Sequence, residues 1–228
     1  MENRLWEILV TEKTYSISHN NAVRSHIAII AGRQRQVTFF KLEHAKAFYY
    51  ADFVAYILMI VLASVLLIGY APRGEWRHIV LSVAGGLAVW PLVEYALHRY
   101  VLHRLEPFRG WHMEHHNRPR AFICTPTIFS AGLIFTLVFL PALASWNLWV
   151  GTGLTLGVTI GYLTFSWAHH AVHYWRADRA WLRNRKRLHT IHHRSGSACN
   201  YGVTTSFWDD VFGTRSGCES RAENVGKT

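Results

Sequence analysis

The feature that most constrains this chain is a run of 55 consecutive residues, 121–175, without a single Asp, Glu, Lys or Arg. A helix in water shows one face to the solvent, so charged residues recur along it every turn or two. A helix that crosses bilayer hydrocarbon needs about 20 apolar residues. The run therefore has the length of two membrane-spanning helices, and the segment PALASWN at 141–147 predicts a tight turn between them.

Two further apolar segments precede this run. The twenty uncharged residues between Asp52 and Arg73 have the length of a first span. The stretch HIVLSVAGGLAVW at 78–90 predicts a second span, which continues toward a polar end at Glu94 and His98. The fold class predicted is an all-α integral membrane protein with four transmembrane helices. Glycines at four-residue spacing in the last span predict close helix packing; they are Gly153, Gly157 and Gly161.

The same pattern divides the chain into three parts. Residues 1–46 carry charges throughout and contain no apolar core of a signal peptide, which predicts a cytosolic N-terminal segment. Residues 47–217 form the predicted four-span catalytic domain. Residues 218–228 are expected to be a flexible tail.

The basic residues gather on one side of the predicted spans. Of 24 Lys and Arg, seven lie in 1–46, five in 99–120 and ten from Arg176 onward, against Arg73 and Arg77 on the other side. The positive-inside rule places the larger group, and with it both termini, in the cytosol. Topology thus accounts for the net charge of +10, and a nucleic-acid partner is not expected. Arg outnumbers Lys 19 to 5, which favours a bacterial cytoplasmic membrane; in a eukaryote the endoplasmic reticulum membrane is expected.

Eleven of the fifteen histidines fall in four clusters at the predicted cytosolic ends of the second and fourth spans. Their spacings are H-x4-H, H-x3-H and, twice, H-x2-H-H. Helix positions i, i+3 and i+4 lie on one face, so the members of an H-x2-H-H cluster can point the same way. The ten candidate metal ligands are His98, His103, His112, His115, His116, His169, His173, His189, His192 and His193.

Two parts of the clusters do not fit a single helix face. His98 and His103 are about 140° apart on an ideal helix, so both can reach one site only if the helix breaks or they reach it from two sides. His170 lies about 100° from its neighbour His169, and we expect it to contact groups other than the metal. The remaining four histidines are expected to be core or surface residues that bind no metal; they are His19, His26, His44 and His78.

Ten imidazoles exceed the needs of one ion and suffice for two, and imidazole binds iron, zinc, copper or nickel. The three cysteines lack the close spacing of a cysteine-based zinc site. Only six acidic residues lie near the clusters, so the predicted cap is a histidine-rich di-metal site rather than a carboxylate-bridged one. Two other classes are disfavoured. A haem carrier needs two histidines per haem, and a transporter places polar groups at mid-membrane.

The clusters and a later segment resemble those of the fatty acid hydroxylase and sterol desaturase superfamily of membrane-bound di-iron oxygenases, most closely its fatty acid 2-hydroxylase branch. The resemblance covers residues 78–215. It departs from the family at Tyr174, where relatives commonly carry a further histidine. The matching motifs, in order, are EYALHRYVLH at 94–103, HMEHH at 112–116, HHAVH at 169–173, HTIHH at 189–193 and NYGVTTSFWDDVFGT at 200–214.

This resemblance implies a monooxygenase that hydroxylates a lipid, above all a fatty acyl chain, with two iron ions, for which zinc could substitute, and O2 as co-substrate. No catalytic residue is expected beyond the metal ligands. Some relatives carry a fused cytochrome b5 domain that is not recognised in these residues. Electrons are therefore expected from a separate donor of cytochrome b5 or ferredoxin type with its reductase. Alternatives are a sterol or lipid desaturase, a C–H oxidase of the same superfamily and a carotenoid hydroxylase; the non-enzyme alternative is a metal transporter or sensor.

Overall fold

The structure is a computed structural model that describes residues 46–123, 125, 127–194 and 199–215. The predicted N-terminal segment 1–46, apart from Lys46, and the predicted tail 218–228 lie outside the described residues. The domain boundaries proposed from the sequence therefore stay predictions.

The described part of the chain is helical. Helix α2 (Trp76–Ala96) runs directly into a π-helical turn at Leu97–Leu102. A second π-helical turn at Phe135–Phe139 joins α4 (Thr127–Ile134) to α5 (Leu140–Ser145). A 3-10 turn at Arg73–Glu75 precedes α2. The helices are α1 (Lys46–Tyr70), α2 (Trp76–Ala96), α3 (Phe108–Asn117), α4 (Thr127–Ile134), α5 (Leu140–Ser145), α6 (Leu148–Tyr174), α7 (Ala180–Arg194) and α8 (Phe207–Val211).

Four helical stretches are long and apolar enough to cross a membrane, as the sequence predicts: Lys46–Tyr70, Arg73–Leu102, Thr127–Ser145 and Leu148–Tyr174. The first begins before the uncharged run and so includes Asp52. The Asp52 carboxylate accepts a hydrogen bond from the Thr127 hydroxyl, which gives this acidic group a partner within the span.

The turn predicted at 141–147 is confined to Trp146 and Asn147, because residues 141–145 continue the third span as part of α5. The Asn147 side chain accepts hydrogen bonds from the backbone N–H groups of Trp149 and Val150, at 2.9 and 3.0 Å. It thereby satisfies donors at the start of α6 that have no partner within the helix. Its amide also donates to Glu75 at 3.3 Å, which links this turn to the one before α2.

Helices α2 and α6 pack closely along the predicted glycine row. A methyl group added at Gly157 would overlap the backbone carbonyl of Val83, and one at Gly161 would overlap the ring of Trp90. The absence of side chains lets the two backbones approach directly. This contact fixes the ends of α2 and α6, from which two of the histidine clusters extend.

We expect Gly157→Leu to lower the stability of the folded chain by about 1–3 kcal/mol, because the new side chain must displace the α2 backbone. Gly85→Leu is the matched control, since Gly85 has open space around it. Thermal unfolding of both variants in detergent micelles checks this. Equal melting temperatures for the two variants would contradict the tight α2–α6 contact.

Candidate metal centre

The structure brings all ten predicted histidines together at one end of the helical bundle. Nine of them form two sets, each with nitrogen atoms that lie within 4.8 Å of one another. The first histidine group comprises His98, His103, His112, His116 and His192. The second comprises His115, His169, His173 and His189, and we add His193, whose Nε2 lies 3.0 Å from Nε2 of His189.

The π-helical turn explains how the H-x4-H cluster reaches one site. Its hydrogen bonds close between residues i and i+5, so residues five apart come onto the same face. The His98 and His103 rings lie 4.9 Å apart, and both belong to the first group. The helix widens rather than breaks, which the sequence did not reveal.

The two H-x2-H-H clusters divide their members between the groups. On α3, His112 and His116 belong to the first group and His115 to the second. On α7, His192 belongs to the first group, whereas His189 and His193 lie in the second. The expectation that three histidines of one cluster point the same way is therefore wrong. Positions i and i+4 share a site, and position i+3 is rotated enough to reach the neighbouring one.

The Nε2 atoms converge more closely than hydrogen bonds between histidines can explain. His173 Nε2 lies 3.2, 3.3 and 2.9 Å from Nε2 of three other histidines: His115, His169 and His189. One ring proton can satisfy only one such pair. Nitrogens bound to one metal at about 2.1 Å lie about 3.0–3.4 Å apart, so the geometry fits a cation at each group.

Four of the ten histidines are buried and six are half-buried, and loss of hydration keeps them neutral. Loss of hydration, helped by neighbouring histidine charges, lowers the pKa of His115 and His116 to about 2. Loss of hydration also lowers the pKa of His103 to about 4. Neutral imidazole is the form that binds metals. At neutral pH the centre therefore presents lone pairs rather than positive charge.

Backbone carbonyls set the tautomer of two ligands in the first group. His98 Nδ1 donates to the Tyr201 carbonyl at 2.5 Å, and His192 Nδ1 donates to the Cys199 carbonyl at 2.7 Å. Each bond requires the proton on Nδ1 and leaves the lone pair of Nε2 facing the group.

His170 lies outside both groups, as the sequence predicts. Its Nδ1 is 3.1 Å from the hydroxyl of Tyr49, and its ring stacks on Tyr174. Tyr174, at the departure from the family pattern, donates its hydroxyl proton to the Ala121 carbonyl. Tyr49 on α1 thus packs against His170 and Tyr174 on α6, beside the two histidine groups.

A cavity leads from the spans to both histidine groups. It touches His98 and His112 of the first group and His115 and His169 of the second. The sequence did not place Tyr49 and Asp52 here; the only signal was an acidic residue at the edge of an apolar run. Its other lining residues are Phe53, Leu102, Phe108, Trp111, Ile123, Thr125, Tyr162, Phe165 and Ser166, together with Tyr49 and Asp52.

Comparisons with known proteins agree with this geometry. The model of a family described as Fatty acid hydroxylase matches residues 83–214. Dihydroceramide fatty acyl 2-hydroxylase FAH2 of Arabidopsis thaliana is 28% identical over 72% of this chain and 72% of its own length. Ceramide very long chain fatty acid hydroxylase scs7 of Schizosaccharomyces pombe is 30% identical over 57% of this chain, which spans only 40% of that protein.

A solved structure described as full-length scs7p, with only the hydroxylase domain visible, superposes with a TM-score of 0.65. It is 22% identical and covers 76% of this chain and 67% of that one. At this identity the likeness concerns the fold alone.

We expect the purified full-length chain to carry two metal ions, and His169→Ala to reduce this to about one. His170→Ala, one residue further along α6, is the matched control and should keep both. Elemental analysis of metal per chain measures the difference. Equal losses in the two variants would contradict the assignment of the faces of α6.

Acidification is expected to destabilise the metal-free chain. Because the pKa of His103, His115 and His116 is lowered in the folded state, the unfolded chain binds protons more readily below about pH 6.5. The contribution of these histidines to the free energy of unfolding is therefore at its maximum above this pH, and it falls as the pH drops. Thermal unfolding of chelator-treated protein across this range checks the sign, and a melting temperature that rises on acidification would contradict it.

Proposed function

Because this chain belongs to the fatty acid hydroxylase family, we propose that it hydroxylates the acyl chain of a membrane lipid close to its head group. The observation that carries the proposal is the cavity, which lies among apolar spans and ends on histidines of both groups. A lipid tail fits between the spans while a carbon near the head group reaches the centre. The relatives named as fatty acyl 2-hydroxylases support the second carbon as the position oxidised.

The proposed centre holds two iron ions, each beside five histidines, with zinc as a substitute of similar ligand preference. Bound iron would supply the activation of O2, which no side chain can perform. In the overall reaction a C–H bond and O2, with two electrons and two protons, give a C–OH bond and water. The electrons come from a separate redox protein of cytochrome b5 or ferredoxin type.

The chain's own residues place the substrate and protect the centre. Phe108, Trp111 and Phe165 give the cavity apolar walls, which exclude water from the reacting carbon. The hydrogen bonds from His98 and His192 to backbone carbonyls keep those rings oriented. Together these contacts position both the acyl chain and the ligands before the reaction begins.

The chain is a membrane protein, and we propose that the end bearing the histidines faces the cytosol. The excess of Lys and Arg on the segments at this end supports the orientation. The excess of Arg over Lys supports a bacterial cytoplasmic membrane.

Lipid mass spectrometry of cells that express the chain with a redox donor tests the function. The wild type should produce lipids with one added oxygen on an acyl chain, and fragmentation should place it beside the carbonyl. His115→Ala should produce none, because one ligand is lost, whereas His170→Ala should retain product. Loss of two hydrogens would instead indicate a desaturase, and an oxygenated sterol or carotenoid would reject the acyl substrate. No new product from metal-loaded wild type would overturn the proposal.

A further inference from the structure

The segment 199–204, here called the support loop, lies against the first histidine group. It supplies both backbone carbonyls that accept from ligand Nδ1 atoms, those of Cys199 and Tyr201. The Tyr201 ring also lies 5.5–5.8 Å from the rings of His98, His103 and His192. One short loop thus contacts ligands from the π-helical turn after α2 and from α7.

The conformation of Asn200 turns the two carbonyls toward the group. Its φ is 53°, in the left-handed region that Asn and Gly adopt more readily than other residues. The backbone N–H of Asn200 donates to the Thr214 carbonyl at 3.2 Å. Residue 200 is thereby held between the two carbonyls that meet His98 and His192.

Two buried carboxylates hold the support loop in place. Asp209, fully buried, accepts from the N–H groups of Tyr201 and Gly202, both at 2.8 Å, and from the Thr214 hydroxyl at 2.7 Å. Glu94, on α2, accepts from the N–H groups of Val203 and Thr204 at 2.6 and 3.0 Å, and from the Thr204 hydroxyl.

The second group has no equivalent support in the part of the chain that the structure describes. The Nδ1 atoms of His115 and His189 are buried, and neither has a hydrogen-bond partner among the described residues. The carbonyls of the support loop reach only members of the first group.

From this asymmetry we propose that Asp209 and Glu94 are positioning residues for one metal only. Acting through the support loop, they fix the tautomer and orientation of His98 and His192 and so raise the affinity of the first group for its ion. The two metal sites consequently differ in affinity. This inference rests on the proposed metal centre, but it concerns residues that touch neither metal nor substrate.

Titration of Co2+ into the metal-free full-length chain, followed by visible absorption, tests the proposal. Two binding phases are expected in the wild type. His112→Ala should remove the phase of the first group and His169→Ala that of the second, which assigns the phases. Asp209→Asn should weaken the first phase about 10–100-fold, because an amide cannot accept all three hydrogen bonds. The second phase should stay unchanged.

Asp210→Asn is the matched control and should leave both phases unchanged. The exposed Asp210 carboxylate accepts hydrogen bonds from Arg215 and contacts no residue of the support loop in the part of the chain that the structure describes. A second pair of variants decides the matter if Asp209→Asn does not fold. Asn200→Ala places in the left-handed region a residue that lacks the short polar side chain of Asn and adopts this conformation less readily, so it should weaken the first phase. Asn200→Gly relieves this cost and should restore binding toward the wild type.

The outcomes separate this inference from the proposed function. If both phases weaken together, if only the second weakens, or if neither changes, the positioning role is overturned while the metal centre stands. If the wild type binds no Co2+, the metal centre itself fails, and with it this inference. Weakening confined to the first phase supports the proposal.

Discussion

The structure depends on a single requirement, the removal of ten imidazoles from water with their Nε2 lone pairs facing inward. Burying so many polar groups is unfavourable unless each finds a partner. The 2.9–3.3 Å separations between Nε2 atoms leave too few protons to provide those partners. A cation bound at each group would offset this cost. The helices, the π-helical turn and the support loop then serve to hold nitrogens at the right separation.

The exchange of ligands between helices makes the two histidine groups one unit. Helix α3 contributes His112 and His116 to the first group and His115 to the second. Helix α7 contributes one histidine to the first group and two to the second. Each group therefore needs both of these helices, as well as either the end of α2 or the end of α6. Such a centre forms only when all four elements are in place, and it ties α3 and α7 to the spans.

Much of this arrangement could be predicted from the sequence, because apolar length and histidine spacing are local properties. Apolar length predicted the four spans and the turn near Asn147. Histidine spacing predicted the ten candidates that the structure brings together. The π-helical turn after α2 could not be predicted, because the spacing of His98 and His103 fits a break equally well. The division of the H-x2-H-H clusters and the roles of Asp52 and Glu94 depend on tertiary contacts, which local patterns do not encode.

The position of the cavity among the spans has a consequence for kinetics. A membrane lipid, the proposed substrate, would reach this cavity by diffusion in the plane of the bilayer, not from aqueous solution. The concentration that governs saturation is then the mole fraction of substrate in the surrounding lipid. Diluting the membrane with inert lipid would slow such an enzyme at constant total substrate, so the composition of the bilayer acts directly on its rate.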